Sequence, residues 1–536
     1  MEKSKTLQGI KPMWYGHPSP VCYIGSVMRL MEYIGEPVAE DELFALSGTG
    51  LCFPWKFASS CDEVSVIPEI PGRTFEALGY KSEHLTGEAV SDKELCLDKI
   101  RRSIENGRPV IGFGITVKMP MSCLIVGYDE NGLYTRSFWP PPGAKNDSEE
   151  YFYSTDWHEN CSGLLFVGDK TGERLTGAAA YAHVVDWARK FRSYNHPVIA
   201  EGMEIYVNQH AFNNMADWLL DDSQWQNPDQ DGMVLAFGKT FAECKEIFLK
   251  QCGLLLFQYY RNNLYAYLKR LDADFPGVVN KSVFAAIERI VAAIPGAHTS
   301  DLWLHEAVDP ALKDFSAMSD RALREKVVKY VRQLKEYDNS VQWTLFMPDF
   351  VKSQTKGFKV DNFEYRELPA MRFIGAEGEE FADVKRRIEL MRKLDDMKEY
   401  KSGFDYDILF MHHYGLSVEN PWHGVWGRFM KKDTPVPEGF LAIDFVPHAI
   451  PAAGPPYHSR FAFATFSGEM NKMHSNEGFD SDAMYDVTRN IILGDGVCIP
   501  YPEKYWTAEV FPDGCDKYST GYLFSISEWD EERTLE

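Results

Sequence analysis

A cysteine opens the first helix that the sequence predicts, and its position could make it a nucleophile. The segment from Cys22 to Gly35 reads CYIGSVMRLMEYIG, with apolar residues at helical spacing and a glycine suited to end the helix. The positive end of a helix dipole favours a thiolate over a thiol. Cysteine is also common as a small buried apolar residue. Cys22 is therefore either a candidate nucleophile or a core residue.

Composition limits the classes of protein that could carry such a site. The 536 residues suggest two to four domains, and 45% hydrophobic residues are enough for packed cores. With 56 basic and 79 acidic residues the formal charge is −23, which argues against a nucleic-acid partner. The ten cysteines include no CxxC pair. We therefore expect no zinc site, no other metal and no cofactor.

The chain also lacks signals for a membrane or for export. Its start, MEKSKTLQGIKPMWYG, contains no apolar run of the kind found in signal peptides. No other run reaches the ~20 apolar residues of a membrane span. These features predict a cytoplasmic protein with reduced cysteines and no membrane partner, and they leave homodimer formation open.

Residues 1–170 predict a helix followed by antiparallel strands, which is an α+β order. After the Cys22 helix, a second helix is predicted over Leu95–Asn106, ended by an Asn-Gly pair. Apolar runs then predict strands at residues 108–113 and at Cys123–Tyr128, and DENG forms a hairpin turn. A last strand is predicted over Ser162–Gly168.

Four motifs in this order carry a resemblance. The Cys22 helix, the LFALSGTGLCF turn, the NGRPVI strand entry and the LIVGYDENG hairpin resemble the N-terminal domain of the butirosin-biosynthesis protein H family. More distantly they resemble papain-like peptidases that trim bacteriocin leaders. The resemblance implies a papain-like fold. In its active members it implies a cysteine nucleophile, a histidine at the head of the second strand and an acid or amide on the next.

The sequence departs from this pattern at two of the three positions. Met121 stands where the histidine is expected, and the orienting acid would fall at Ser137 or Phe138. Other histidines of this segment could substitute as a base, and they are His17, His84 and His158. Without an imidazole near the thiol, activation would depend on the helix dipole alone. We therefore expect a pseudoenzyme. The alternative is a cysteine-dependent acyltransferase or amidase acting through Cys22.

Residues 171–355 contain few strand signals and predict a helical domain. Apolar residues recur at helical spacing over Leu175–Ser193, Met203–Leu220 and Phe241–Leu271. Two more helices are predicted over Asn280–Ile294 and Ala322–Tyr337. Five helices of this length suggest a bundle.

Residues 360–536 predict a strand–helix–strand–strand unit that occurs twice. The first copy runs from the strand Tyr365–Ile374 through the helix Glu380–Met397. The second copy has its helix over Asp482–Leu493 and its last strand over Gly521–Ile526. An internal repeat of this size suggests two similar halves about a pseudo-twofold axis.

This last domain resembles the GyrI-like (gyrase-inhibitor-like) effector-binding domains. The motifs are GFLAIDFVPHAIPAAG, SRFAFATFSGE, YWTAEVFPDG and GYLFSISEW, in that order. The resemblance implies a groove that binds bulky, cationic or planar small molecules. Relatives commonly carry a glutamate at the start of the last strand, where this chain has Gly521, so Glu509 could supply the charge instead. The candidate ligand-binding residues are Tyr414, Trp422, Trp426, Phe445, Trp506 and Glu509.

The favoured function is therefore a small-molecule-binding or sensing protein with a degenerate cysteine-peptidase-like domain. Aromatic rings with one carboxylate would attract a cation through cation–π and Coulomb forces. Each ring, taken singly, could equally be part of the sheet's apolar cover. A second alternative is hydrolysis of a reactive natural product in the C-terminal groove, for which Glu509 is the candidate acid.

Overall fold

The computed structural model contains helices and antiparallel sheets in two compact units, Met1–Leu345 and Phe346–Glu536. This confirms the predicted α+β, multidomain class. The described residues are 3–14, 16–57, 63–117, 121–139, 145, 148–192, 198–200, 203–226, 245–294, 303–313, 315–346, 358–377, 392, 394, 408–414, 422–447, 456–468, 482–494, 506–511 and 521–526. Among these residues, no helix has the length and apolar character needed to cross a membrane.

The division into two units differs from the three predicted domains. Residues 1–170 and the helices that follow them share one continuous apolar core, so contacts group them together. The last helix of this unit, Arg321–Phe346, runs up to the division between the units. The division therefore falls ahead of the expected boundary at 355–360, because residues 171–345 share the core of residues 1–170. The helix Leu256–Asp274, for example, packs on the helix Glu40–Leu46.

A seven-stranded antiparallel sheet forms the N-terminal half of the first unit. The strands of this unit are β1 (Lys5–Thr6), β2 (Pro54–Trp55), β3 (Tyr80–Thr86), β4 (Val110–Phe113), β5 (Ser122–Tyr128), β6 (Leu133–Ser137), β7 (Phe152–Ser154), β8 (Gly163–Lys170), β9 (Val198–Ala200) and β10 (Met203–Val207). The large sheet has the order β3-β8-β4-β5-β6-β7, with β1 beside β5. A smaller sheet has the order β2-β10-β9. Strands β4, β5 and β8 of the large sheet lie where the apolar runs predict them, whereas no strand is predicted at β1, β3 or β7.

The helices of the first unit mostly match the apolar periodicity. They are α1 (Cys22–Tyr33), α2 (Glu40–Leu46), α3 (Glu63–Val66), α4 (Ile70–Ala77), α5 (Lys93–Glu105), α6 (Gly177–Arg192), α7 (Gln209–Leu220), α8 (Ser223–Gln226), α9 (Leu256–Asp274), α10 (Ser282–Ala293), α11 (Trp303–Ala307) and α12 (Arg321–Phe346), and a π-helix (Ile247–Leu255) precedes α9. Gly35 ends α1 with a φ of 86°, as predicted. Asp92 caps α5 by accepting hydrogen bonds from the backbone N–H groups of Glu94 and Leu95.

The predicted helix over Met203–Leu220 is wrong in its first part. Met203–Val207 is strand β10, which pairs with β2 and β9, and the helix begins only at Gln209. The segment contains Ile205 and Val207, which are buried at alternate positions as in a strand. The helical spacing of apolar residues holds from Gln209 onward but does not continue into Met203–Val207.

The second unit is built on one nine-stranded sheet. Its strands are β11 (Phe358–Glu367), β12 (Met371–Glu377), β13 (Ile408–Tyr414), β14 (Trp422–Lys431), β15 (Leu441–Val446), β16 (Tyr457–His458), β17 (Arg460–Gly468), β18 (Trp506–Phe511) and β19 (Gly521–Ser525). The described residues also include the helix α13 (Asp482–Gly494). The order is β11-β17-β19-β18-β13-β14-β12-β15-β16. The predicted helix Glu380–Met397 lies almost wholly outside the described residues.

The strand order of this sheet is symmetric about the boundary between β18 and β13. On one side β18, β19 and β17 follow each other, and on the other side β13, β14 and β12 do. In each set the strand that comes first in the chain lies outermost and the strand that comes second lies at the centre. The central strands β13 and β18 pair antiparallel, from Ile408 opposite Phe511 to His413 opposite Trp506. The two halves are thus related by an approximate twofold axis between β13 and β18.

The sheet has two faces that differ in what they contact. We call one the helix face, because Tyr485 of α13 contacts the rings of Tyr522 and Phe524 there. We call the other the inner face, because the sheet curls around it. On the inner face the rings of Phe445 and Trp506 lie 5.1 Å apart, although their strands would be about 19 Å apart in a flat sheet.

Candidate functional site

Cys22 and Met121 lie side by side at the start of α1. Cys22 is the first residue of the helix and is 8% exposed, and its Sγ lies 3.8 Å from Sδ of Met121. One turn later, the hydroxyls of Ser26 and Ser122 are 3.1 Å apart and join α1 to β5. A thioether is only a weak hydrogen-bond acceptor and does not act as a base at neutral pH. The position expected for the base therefore contacts the thiol but offers no proton acceptor of useful strength.

The position expected for the orienting acid is also occupied by other groups. Ser137 lies opposite Cys123 in the sheet, and its hydroxyl is 2.8 Å from that of Thr116. The Phe138 ring packs on α1 so closely that a Cβ at Gly25 would overlap it. The expected position of the carboxylate or amide that would orient an imidazole is therefore held by Ser137, whose hydroxyl contacts Thr116, or by the buried ring of Phe138.

The three other histidines considered as bases each have a different environment. His17 accepts a hydrogen bond at Nε2 from Arg29, 2.8 Å away, and burial together with the Arg29 charge lowers the pKa of His17. Burial lowers the pKa of His84 as well. His158 donates from Nε2 to the carbonyl of Val90 at 2.8 Å. The His84 ring packs beside that of Phe113, with centroids 5.5 Å apart. Each of the three histidines thus contacts a group other than Cys22.

In the second unit, Glu509 lies in a row of side chains that crosses the helix face. Sheet register places Glu509 of β18 between Phe410 of β13 and Tyr522 of β19. Phe410 in turn lies opposite Trp426 of β14. Directly opposed residues of antiparallel strands have Cβ atoms about 4.5–5.5 Å apart, so these four side chains are neighbours. Glu509 is 1% exposed.

Aromatic rings surround this carboxylate along the sheet. The Trp426 ring lies 4.9 Å from Phe410 and 4.8 Å from Phe511. Both phenylalanines and Trp426 are buried. On the other side of Glu509, Tyr522 contacts Tyr485 of α13, with ring centroids 6.0 Å apart. The helix face thus places a buried carboxylate beside aromatic rings on both sides.

Two of the predicted ligand-binding residues lie on the opposite, inner face. Trp506 is fully buried there against the rings of Phe445, Phe461 and Phe429, and its indole N–H donates to the carbonyl of His458 at 3.3 Å. These residues form one apolar cluster, and Trp426 belongs to a separate cluster. The prediction of one aromatic box is therefore wrong for Phe445 and Trp506, because the sheet separates them from Glu509 and Trp426.

The two remaining predicted residues can be placed only by their backbone. Tyr414 and Trp422 lie opposite each other where β13 and β14 meet their connecting segment. Their side chains lie outside the described part of the chain.

Gly521 does not occupy a position equivalent to that of Glu509. It lies opposite Val510 and Thr465, and a Cβ at this glycine would come 3.2 Å from the Phe463 ring and 3.1 Å from the Ala464 carbonyl oxygen. Phe463 belongs to the inner-face cluster. A side chain at residue 521 would therefore point into the inner face.

Sequence reasoning missed Phe410 and Tyr522 as neighbours of the carboxylate. The period of two along a strand already indicates that residues 506 and 509 point to opposite faces. The sequence alone therefore separates Trp506 from Glu509. It does not show that β18 pairs with β13 and β19, because this pairing joins segments that are distant in sequence.

Among the described residues, no group of three or more His, Cys, Asp or Glu side chains could hold a metal ion.

Comparisons with known proteins add little to this geometry. No protein-family model matches the chain, and no curated protein matches it. A solved structure titled "The structure of SAV2435 bound to tetraphenylphosphonium" matches with 11% identity and a TM-score of 0.22, over 33% of this chain and 99% of that chain. A TM-score of this size does not establish a shared fold.

Proposed function

We propose that the second unit is a GyrI-like domain that binds a bulky aromatic cation on its helix face. The twofold strand order about β13 and β18 supports the domain assignment, since that family is built from two strand–helix–strand–strand halves. We propose further that the first unit is a papain-like domain of the butirosin protein H type that has lost turnover. The whole chain is then a binding or sensing protein.

The observation that carries the proposal is the burial of Glu509 among aromatic rings. Glu509 is 1% exposed, and the attraction between a carboxylate and a cation is stronger where water is excluded than at the protein surface. Phe410, Trp426 and Tyr522 beside it provide ring surface that attracts cations. A ligand with delocalised positive charge and large apolar groups satisfies both features, because it loses little hydration on entering the site.

The state of Cys22 supports a binding function over an acyl-transfer function. The sulfur of Met121 lies where a general base would have to accept the thiol proton, and Ser137 is engaged with Thr116. The rival, a cysteine-dependent acyltransferase or amidase, requires a covalent acyl adduct on Cys22. Mass spectrometry after incubation with an activated thioester tests for that adduct directly.

The binding proposal is tested by calorimetric titration of the full-length protein with tetraphenylphosphonium. We expect Glu509→Gln to weaken binding by about a hundredfold, since two unit charges about 6 Å apart interact by about 3 kcal/mol at an effective dielectric constant of about 20. Binding of the neutral analogue triphenylphosphine oxide should change little. Glutamine keeps the size of the side chain and removes only the charge.

Glu364→Gln is the matched control for this titration. Glu364 is also buried, at 2% exposed, but it lies opposite Phe463, which belongs to the inner-face cluster, and pairs with Arg366. If both variants lose the cation equally, the effect is a general one on the sheet, and the helix face is not the site. Failure of the wild-type protein to bind either compound would refute the proposed function.

A further inference from the structure

Two tyrosines of the first unit meet beside the hairpin turn that joins β5 to β6. Tyr134 of β6 and Tyr153 of β7 lie directly opposite each other in the antiparallel sheet, and their ring centroids are 4.9 Å apart. Opposed residues of antiparallel strands have Cβ atoms about 4.5–5.5 Å apart and project from the same face of the sheet. The backbone pairing therefore holds these two rings in contact.

Both hydroxyls of this pair donate to one carboxylate. Tyr153 Oη lies 2.6 Å from Oδ1 of Asp129, and Tyr134 Oη lies 3.0 Å from Oδ2 of the same side chain. Asp129 is itself held by the turn, because its Oδ1 also accepts from the backbone N–H groups of Asn131 and Gly132 at 2.8 and 2.9 Å. The hydroxyl ends of the two rings therefore converge on one fixed side chain, and so do the ring carbons next to the hydroxyls.

The shared carboxylate is placed to accept a proton from either phenol. Hydrogen bonding to Asp129 raises the pKa of Tyr134 and raises the pKa of Tyr153 to about 12, while the hydrogen bond from Tyr153 lowers the pKa of Asp129. At neutral pH two protonated phenols therefore lie beside an ionised carboxylate. A phenol that has lost an electron is a far stronger acid than the phenol itself, so Asp129 can take its proton. Tyr153 is 39% exposed, so an oxidant can reach the pair.

We propose that Tyr134 and Tyr153 form a site of oxidative cross-linking, at which a peroxidase with hydrogen peroxide joins the two rings into dityrosine. In each of two steps, one ring loses an electron to the oxidant and its hydroxyl proton to Asp129, which passes the proton to water. The two phenoxyl radicals then form a carbon–carbon bond between the carbons next to their oxygens. The hydrogens on those carbons move to the oxygens and restore both phenols. In total two protons and two electrons leave, and with them one hydrogen peroxide becomes two waters.

The cross-link ties the edge of the large sheet to its neighbour. Strand β7 has three residues and stands at the end of the strand order, paired with β6. A covalent bond between Tyr153 and Tyr134 joins these strands independently of their hydrogen bonds. The site belongs to the first unit and does not depend on cation binding in the second.

Oxidation of the full-length protein by a haem peroxidase and hydrogen peroxide, at low protein concentration, tests the site. Peptide mass spectrometry should find the peptides of Tyr134 and Tyr153 joined, with the loss of two hydrogen atoms, and dityrosine fluorescence should rise in parallel. In a mixture of unlabelled and isotope-labelled protein, each joined pair should carry a single isotope, because the bond forms within one chain. Tyr134→Phe should abolish this product.

Asp129→Asn tests the carboxylate, since asparagine keeps an oxygen for the backbone of the turn but is no base. We expect cross-linking at neutral pH to slow by about tenfold, less than the usual contribution of a positioned base because water reaches Tyr153. Glu130→Gln is the matched control. Glu130 is the next residue of the same turn and pairs with Lys3 at 3.1 Å, and this variant should react at the rate of the wild type.

A pH series separates proton acceptance by Asp129 from its support of the turn. Without the carboxylate the phenols ionise at their ordinary pKa, so the rate of Asp129→Asn should rise more steeply with pH than that of the wild type. A variant that is slow at every pH would show that Asp129 only orders the turn, and equal rates at neutral pH would also overturn its role as proton acceptor. Absence of the joined peptides under conditions that convert free tyrosine to dityrosine would overturn the cross-linking site itself.

Discussion

The thiol of Cys22 lies at the start of a helix, as in cysteine nucleophiles, and Met121 occupies the position expected for its base. It stands at the first residue of a twelve-residue helix, and the side chain next to it is a thioether. Nucleophilic cysteines owe their reactivity to the thiolate fraction, which an adjacent imidazole or other positive charge increases. Of the two positions that depart from the expected pattern, Met121 is the one in contact with the thiol.

This makes a gain-of-reactivity experiment possible. We expect Met121→His to raise the rate of Cys22 alkylation by iodoacetamide at pH 6 by about tenfold or more, because an imidazolium beside the thiol favours the thiolate. The rate is measured by peptide mass spectrometry across a pH series, with Cys22→Ser to identify the labelled site. A rapid reaction of the unmodified protein at pH 6 would mean that Cys22 is already activated and would contradict the pseudoenzyme assignment.

Among the elements, α9 and α12 of the first unit are joined by a fully buried ion pair. Arg261 Nε lies 2.6 Å from Asp338 Oδ1, and both side chains are 1% exposed or less. The guanidinium also donates to the carbonyls of Gly50 and Leu51 at 2.7 and 3.2 Å. One charged side chain thus joins the glycine-rich turn after α2 to two helices that are distant in sequence, which explains why residues 171–345 form one unit with residues 1–170.

Breaking this pair should be costly. We expect Asp338→Asn to lower the free energy of unfolding by about 3–5 kcal/mol, since it leaves the Arg261 charge buried without a counter-charge. Urea unfolding of the variant provides the measurement. The exposed pair between Arg270 and Asp41, 3.1 Å apart, gives the control, and Arg270→Ala should cost about 1 kcal/mol or less. Equal effects at both pairs would argue against the buried pair as the main connection.

At the scale of the whole molecule, the chain consists of two units with separate cores. The large cluster of buried residues ends at Leu345, and the clusters of the second unit begin at Met371. Domains with separate cores commonly unfold as separate cooperative units. The proposed ligand site belongs entirely to the second unit.

Calorimetry should therefore show two unfolding transitions. Tetraphenylphosphonium should raise the midpoint temperature of only one of them. A ligand at 100-fold its Kd stabilises the domain that binds it by about 2.7 kcal/mol. At the same ligand concentration Glu509→Gln, with a Kd a hundredfold higher, should keep only about 0.4 kcal/mol of this stabilisation and leave the other transition unchanged. The transition whose midpoint Asp338→Asn lowers is that of the first unit. If the ligand raises the midpoint of this transition, or of both transitions, the ligand does not bind in the second unit alone and the proposed site is wrong.

The first unit should also lose stability in weak acid. Burial lowers the pKa of His84 and His183 below their ordinary 6.5, so the unfolded chain takes up their protons first as the pH falls. Stability from these residues is complete above pH 6.5 and is lost as the pH falls toward their folded pKa values. His183 donates to the Leu46 carbonyl, and His183→Gln, which keeps a donor, should reduce the pH dependence of this transition between pH 7 and 5. If the stability of His183→Gln depends on pH as steeply as that of the wild type, His183 is not a source of the loss in weak acid.

The sequence by itself determined much of the secondary structure and the residue types around Cys22. Helix α1 ends at a glycine, β4 and β5 follow apolar runs, and a methionine stands at position 121, all of which depend on local pattern. Met203–Val207, by contrast, is a strand because it pairs with β2, which comes from far away in the chain. Local pattern cannot show such a partner.

Only the tertiary structure decided which residues from different strands share a face of the second sheet. Aromatic residues are frequent in all its strands, so composition could not separate the inner cluster around Trp506 from the helix-face row around Glu509. That row exists because hydrogen-bond register aligns Phe410 and Tyr522 with Glu509 from two other strands. Register is fixed by the burial of whole strands and by their pairing, which are properties of the assembled sheet.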